Sequence, residues 1–202
     1  MSFPNTITHI DQNAFLNCHS LETVYIPSSL QYIGGYGHDE YGNAFGCCPK
    51  LSNFVIDEDN QYFDFVDGCL LKYNAKISDY APLQTMLVCA TAGCTVPSQV
   101  QVIDSYAFYG PQYVDVVINY GCKELLPYSF GDLKNISRIF IPSSMVSIVS
   151  NAFIYSVSKN VRFFTDATEA AVVSKNYWGC ADKIRDHITF EYNENFEPII
   201  NK

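Results

Sequence analysis

The sequence predicts a single α/β repeat solenoid, with short parallel strands on one face and short helical turns or extended segments on the other. Three observations carry this reading: a unit of about 23 residues that returns along the chain, phenylalanines in fixed phase with it, and strand-like runs that proline closes. Anchor positions recur at Phe3-Pro4, Ile26-Pro27, Ile56, Val96-Pro97, Asn119, Ile141-Pro142 and Phe164, with spacings of 23, 30, 40, 23, 22 and 23. Asn119 is the polar exception. The spacings describe one unit interrupted by two insertions, and periods of this size belong to solenoids.

Each element follows from a column. Seven residues after the anchors stand Ile10, Ile33, Ile103 and Ile148, with Leu125 in a repeat one residue short, which predicts a second apolar column. Twelve after the anchors stand Phe15, Phe108 and Phe153, each behind an alanine; Ala44-Phe45 arrives seven residues late, and Ser129-Phe130 fills the shortened repeat. Six and nine residues beyond the phenylalanines lie Leu21 and Val24, Leu51 and Phe54, Val114 and Val117, and Ile136 and Ile139. The strands are read from residues 21–26, 51–56 and 136–141, where β-branched and aromatic residues mix with polar ones. Pro27 and Pro142 close two of the three runs. One repeat buries too few apolar side chains to offset the entropy of its own ordering, so the repeats must stack and share each buried face.

Length and charge narrow the function classes. The 202 residues form one domain, 1–202, and a net charge of −9 leaves no broad basic face to follow a phosphate backbone or an anionic membrane. Nucleic acid is therefore not expected as a partner. The longest apolar stretches, such as residues 114–118 with Asp115 inside, fall far short of the ~20 residues that cross a bilayer, so no membrane insertion is expected. Residues 1–11 have neither a basic start nor an apolar core, so the chain as written shows no secretory signal.

The segment Ile7-Thr8-His9-Ile10-Asp11-Gln12-Asn13-Ala14-Phe15-Leu16-Asn17-Cys18-His19-Ser20-Leu21-Glu22-Thr23-Val24-Tyr25-Ile26-Pro27 closely resembles the BspA-like (Treponema pallidum type) leucine-rich repeats of bacterial and protist surface proteins. The resemblance covers most of the chain. It implies that Asp59 to Phe63, Asp67 to Leu71 and Met86 to Val88 belong to an inserted β-hairpin at about 57–95, which accounts for the 40-residue spacing. It also implies that Asp166 to Lys175 and Tyr177 to Ile184, with Trp178, form a closing helix and cap at about 165–192. At the other end, Phe3-Pro4 stands where the last two residues of a strand belong, so the first repeat opens halfway and lacks a cap. The expectation is a longer natural chain with at least one upstream repeat and a signal peptide. The uncapped edge predicts a concentration-dependent homodimer.

Residues that could carry chemistry do not assemble into a site. The eight cysteines contain no Cys-x-x-C, and His9, His19, His38 and His187 show no paired ligand spacing, so no thiolate or histidine metal site is expected. Cys18 and Cys48 each follow a repeat phenylalanine by three residues and read as small buried groups that stack. Cys89 and Cys94 could pair in an oxidising compartment, a matter for their Cα separation. The acidic run Asp57, Glu58, Asp59, Asp64 and Asp67 begins like a calcium loop, but Gln61 and Tyr62 stand where such a loop needs Asp or Asn at the fifth position and glycine at the sixth. It reads as a solvated hairpin edge. Gly34, Gly35, Gly37 and Gly42 lack the following Gly-Lys-Ser/Thr of a phosphate loop and, with Tyr36, His38, Asp39, Glu40 and Tyr41, mark a surface insertion. No Gly-x-Ser-x-Gly, His-Glu-x-x-His or local Cys and His arrangement beyond Cys18-His19 is present, so no catalytic residue and no cofactor is assigned. The sequon Asn135-Ile136-Ser137 lies at a strand entrance with little room for a glycan.

Surface remains. Between the buried columns of the strands lie Thr23 and Tyr25, Asn53 and Val55, Arg138 and Phe140, then Arg162 and Phe164. Tyr25, Val55 and Phe140 are expected as an exposed ladder with Arg138 and Arg162 beside it, the residue types enriched at interface centres. The same ladder can serve only to stabilise a sheet. The hairpin adds Tyr62, Phe63, Phe65 and Tyr73, about half of which must pack inward if it docks. The resemblance implies a non-enzymatic module, secreted or at the cell surface, that binds host, matrix or partner-cell proteins through the strand face and hairpin, with adhesion as its role. Structural spacer repeats of a longer surface protein, or an intracellular interaction scaffold, are the alternatives.

Overall fold

The structure is a computed structural model that describes residues 1–34, 43–75, 82–109, 115–131, 136–153, 161–174, 187–197 and 199. In chain order the elements are β1 (His9–Ile10), β2 (Thr23–Ile26), β3 (Tyr32–Ile33), β4 (Asn53–Ile56), β5 (Phe63–Val66), β6 (Cys69–Ala75), β7 (Gln84–Ala90) and β8 (Val102–Ile103). Then follow β9 (Asp115–Val117), β10 (Glu124–Leu125), β11 (Arg138–Phe140), β12 (Ser147–Ile148), β13 (Arg162–Phe164), α1 (Glu169–Ser174) and β14 (Ile188–Thr189). They wind into a solenoid with two strand-bearing faces. One face carries the parallel pair β2–β4 and the parallel ladder β9–β11–β13–β14. The other carries the parallel pair β1–β3 and a six-stranded sheet in which β12, β10 and β8 run parallel into β7, followed by antiparallel β6 and β5. The second face is thus built from extended segments, and α1 is the one α-helix among the described residues.

The turn after each strand explains both the proline and its exception. The carbonyls of Pro4, Pro27, Pro97 and Pro142 accept hydrogen bonds from Ile7, Leu30, Val100 and Met145, three residues on, at 3.0–3.3 Å. Proline supplies the fixed φ that starts such a turn. Where proline is missing, Asn119 does the work with its side chain: its Oδ1 accepts from the Gly121 and Cys122 N–H groups at 2.6 and 3.2 Å, and its Nδ2 donates to the Pro97 carbonyl at 2.6 Å. Asn119 therefore occupies the proline position, one residue after the true anchor. Strand pairing corrects the column accordingly: Arg138 faces Asp115 and Phe140 faces Val117, so Val116, not Val117, is the inward residue opposite Ile139. The missing residue lies between Phe108 and Ile118. Phe164 is corrected in the same way, because it pairs with Phe140 and stands on the strand face.

The phenylalanine column is the spine of the core. Phe108 stacks on Phe130 at 4.6 Å and Phe130 on Phe153 at 5.2 Å, while Phe15 stacks on Phe45 at 5.5 Å. Ala44, Ala107, Ser129 and Ala152, just ahead of these rings, are buried, and their small side chains let successive turns approach. Phe15, Phe108 and Phe130 donate their backbone N–H groups to Ala44, Ser129 and Ala152 in the next turn at 2.8–3.1 Å. Asn13, Tyr106 and Tyr128, two residues ahead, take positive φ near 60° to make this geometry. Asparagine tolerates that conformation; the two tyrosines stack on each other at 5.0 Å.

The inserted strands divide the core and belong to both halves. Leu70, Phe63, Val88 and Cys89 pack with Val24, Ile26 and Phe54 on one side. Cys69, Leu71, Leu87 and Ala90 pack with Ile103, Phe108 and Ile139 on the other. A strand buried on both faces reads as a continuous apolar run, as in Cys69-Leu70-Leu71 and Leu87-Val88-Cys89-Ala90. Asp67 and Gly68, with φ of 50° and 79°, form the two-residue turn between β5 and β6.

Candidate interaction face

Register places the strand-face residues. Thr23 pairs with Asn53 and Tyr25 with Val55, while Arg138 lies between Asp115 and Arg162, and Phe140 between Val117 and Phe164. Their neighbours Val24, Phe54, Val116, Ile139 and Phe163 are buried, so these side chains all project from one face.

Exposure splits the face in two. Tyr25 and Val55 are 49% and 40% exposed and adjacent, flanked by half-buried Thr23 and Asn53. Phe140, expected on the exposed ladder, is 0% exposed, and Phe164 is 8% exposed. The physical reason is a cover that the repeat pattern does not reveal. Tyr120 meets Phe140 edge-on at 6.1 Å, and the segment after β14 folds back so that Phe196 and Tyr192 lie against Phe164 at 5.1 and 5.3 Å. Phe196 also receives the Arg138 guanidinium over its ring at 4.3 Å. Arg138 in turn is held by Asp115 through two bonds, Nε to Oδ1 at 2.8 Å and Nη2 to Oδ2 at 2.5 Å. Arg162 stays exposed on the adjacent strand. Asp115, Tyr120, Tyr192 and Phe196 were thus missed by the sequence reading; Asp115 alone left a signal, as the charge inside the apolar run at 114–118.

The hairpin aromatics divide as docking requires. Phe63 is buried and Phe65 packs on Phe54 at 5.5 Å, whereas Tyr62 is exposed and the Tyr73 hydroxyl donates to Asp64 Oδ2 at 3.1 Å. The acidic run serves turns: Asp57 Oδ1 accepts from the Asp59 N–H at 3.1 Å, and Asn60 Oδ1 accepts from the Tyr62 and Phe63 N–H groups at 2.8 and 3.0 Å. Among the described residues no three His, Cys, Asp or Glu side chains stand together as a metal site. The opposite face carries its own stack, His9 on Tyr32 at 4.8 Å with Lys72 Nζ 3.9 Å above Tyr32.

The cysteines behave as core atoms. Cys48 is buried, its Sγ donates to the Phe15 carbonyl at 3.1 Å, and its neighbour in the preceding turn is Cys18. Burial pushes the Cys89 and Cys122 thiols up to about 12. The seven described cysteines are free thiols, and the thiol hydrogen-bonded to Cys69 is that of Cys94, so Cys94 has a partner other than the Cys89 considered from sequence. The glycine-rich insertion 35–42, Val114, Asn135 of the sequon, and Trp178 and Cys180 of the expected cap lie outside the described residues.

The model of the BspA type leucine-rich repeat region matches the chain in six copies over residues 1–65 and 87–180. The chain belongs to the BspA-type leucine-rich-repeat family. The interval between the two matched stretches holds β6 and the start of β7, the strands that divide the core of this BspA-type solenoid. Among curated proteins, no sequence matches significantly. Among solved structures the fold is similar to a leucine-rich repeat protein from Eubacterium ventriosum, with a TM-score of 0.60 and 22% identity over 90% of this chain and 46% of that one. It is also similar to a leucine-rich cell surface protein from Faecalibacterium prausnitzii, with a TM-score of 0.42 and 18% identity over 88% and 55%. The pneumococcal vaccine antigen PcpA gives a TM-score of 0.46 and 15% identity over 97% and 60%. The chain thus spans 46–60% of the length of these three proteins.

Proposed function

We propose that this BspA-type solenoid is a protein-binding module of a cell-surface protein and that it recognises its partner at the open half of the strand face. The observation that carries this is the exposed, adjacent pair Tyr25 and Val55, with Thr23 and Asn53 beside them, on a face whose equivalent residues Phe140 and Phe164 are covered. A core sheet has no need of an uncovered aromatic, whereas an interface centre uses tyrosine for rigid contact area. A protein ligand from a host cell, extracellular matrix or neighbouring cell suits such a surface. Among the described residues no helix is long and apolar enough to cross a membrane.

The test is binding to a panel of extracellular-matrix and host-cell surface proteins, comparing the chain with a folded Tyr25→Ser, Val55→Ser variant. A saturable signal that falls at least tenfold in the variant is expected. Equal binding by both proteins overturns the placement at Tyr25 and Val55, and binding by neither overturns the reading and puts the spacer role ahead. The sheet edge where Ser2 bridges to Tyr25 is the surface proposed for self-association of two copies. Light scattering across a hundredfold range of concentration, with a rise in mass, is the expected result; a constant monomer mass removes the dimer.

A further inference from the structure

The inserted hairpin and the segment that leaves it bring two thiols together. Asp67 and Gly68 make the turn into β6, and the segment after β7 closes over that turn through main-chain bonds. The Thr91 N–H donates to the Gly68 carbonyl at 2.8 Å and the Thr95 N–H to the Asp67 carbonyl at 2.9 Å, while Thr91 Oγ1 adds a second bond to the Gly68 carbonyl at 2.9 Å. Between these ties the Cys94 N–H donates to the Thr91 carbonyl at 3.2 Å, and the bend sets Cys94 against Gly68 and the Cys69 thiol. Glycine at 68 admits it, because a Cβ there would stand 3.0 Å from both Cα and Cβ of Cys94.

Position selects this pair among the cysteines. Cys69 faces Ala90 across the β6–β7 ladder and packs in the core with Ile103 and Phe108, and Cys94 packs against that same core. Cys89, although next to Ala90 in the chain, faces Leu70 and packs in the other core with Val24 and Phe54. The Cys48 thiol is engaged at 3.1 Å with the Phe15 carbonyl, whereas the carbonyls that Cys69 Sγ meets, those of Thr95 and Asp67, stand at 3.7 and 3.9 Å. The close partner of Cys69 is therefore the Cys94 sulfur. One member of the pair is fully buried and the other half-buried, so a small reagent reaches Cys94 first.

We propose that Cys69 and Cys94 are an oxidation site: in oxidising surroundings they close an intramolecular disulfide that staples the inserted hairpin to the segment leading into the next repeat, and in reducing surroundings they remain thiols. The reaction is exchange with a small disulfide such as oxidised glutathione. The Cys94 thiolate attacks one sulfur of that disulfide and displaces one glutathione thiol; Cys69, on losing its proton to water, attacks the Cys94 sulfur and displaces the second. The two protein thiols give up two electrons and two protons, and the small disulfide takes both. The hydrogen bond to Cys94, together with burial, pushes the Cys69 thiol up, which makes Cys94 the attacking group and Cys69 the resolving one. Closing residues 69–94 encloses β6 and β7, so the bond restrains the unfolded chain as well as the docked hairpin. No strand-face residue takes part, and the cell-surface setting proposed above is one in which such bonds persist.

The experiment equilibrates the full, natively folded chain in reduced and in oxidised glutathione, blocks free thiols in denaturant with N-ethylmaleimide, and maps the peptides by mass spectrometry. The oxidised sample is expected to contain the Cys69 peptide linked to the Cys94 peptide, and the reduced sample to contain both blocked. Hydrogen exchange at Thr91, Cys94 and Thr95 is expected to slow at least tenfold on oxidation, with a higher urea midpoint. In Cys94→Ser the midpoint should no longer respond to glutathione, whereas in Cys89→Ser it should respond as in the native chain; the peptide map of the native chain decides the pairing should either variant fail to fold. Cys69 and Cys94 both fully blocked after oxidation, Cys94 linked only to glutathione or to another cysteine, or a link confined to Cys18 and Cys48 overturns the proposal. So does a Cys69–Cys94 bond that leaves exchange and midpoint unchanged. None of these readings depends on a binding partner, so failure of the Tyr25 and Val55 assay is a separate result.

Discussion

Asn119 shows how one side chain can replace a ring. Proline fixes φ and removes a donor, and asparagine reaches the same turn by accepting two N–H groups and donating to the preceding repeat. Asn119→Ala should lower stability by about 1–3 kcal/mol, read as a shift in urea midpoint with unchanged slope. Asp104 and Lys72 give a pH signature. Desolvation raises Asp104 to about 7 and lowers Lys72 to about 8, with each charge partly countering the other's shift. The folded chain therefore keeps the Asp104 proton where the unfolded chain has lost it, and this group's contribution to stability falls as pH rises from about 4 to about 7. Lys72 works in reverse, its contribution recovering as pH climbs from about 8 toward 10.5. Relative to the native chain, Asp104→Asn should gain about 1–2 kcal/mol between pH 5 and pH 7.5, below the full shift because the carboxylate keeps some contact with water. Urea titrations at the two pH values check it, and an unchanged difference contradicts it. Cys89 and Cys122, with thiols near 12, should resist iodoacetamide at pH 8 until the chain unfolds.

At the scale of elements, the hairpin is the decisive insertion. Its β5–β6 turn requires Gly68: φ is 79°, and a Cβ there would stand 3.0 Å from both Cα and Cβ of Cys94. Gly68→Ala should therefore cost about 1–3 kcal/mol, whereas Gly93→Ala, at φ 77° with open space around it, carries only the backbone penalty. A thermal or urea melt that ranks the two variants the other way refutes the steric account. Leu71→Ala, which empties a fully buried position, should cost about 2–5 kcal/mol. The segment after β14 is the complementary case, an element made of polar contacts and two rings, Tyr192 and Phe196, and local hydrogen exchange should find it opening before the ladders do.

For the molecule as a whole, the hairpin joins two cores that a plain repeat array would merge turn by turn. Both β6 and β7 send residues into each core, Leu70, Val88 and Cys89 to one and Cys69, Leu71, Leu87 and Ala90 to the other, so damage at one strand should reach both halves. The expectation is a single urea transition with coincident far- and near-ultraviolet circular dichroism, and in Leu87→Ala faster amide exchange in both β2 and β11. Loss of protection confined to one half would mean that the cores unfold separately.

The sequence by itself determined the solenoid, because a buried column must recur at every turn: the isoleucines, the phenylalanines behind alanine and the proline turns are local requirements repeated at fixed distance. It also placed Thr23, Tyr25, Asn53, Val55, Arg138, Phe140 and Arg162 on one face, since strand alternation has period two. It put Val117 in the core column and Asn119 at an anchor, because a side chain that imitates proline is invisible to a search for apolar spacing. Only the tertiary structure decided which half of that face is open. Phe140 and Phe164 are covered by Tyr120, Tyr192 and Phe196, residues outside the strand pattern, and such a contact depends on where the chain returns rather than on any repeat.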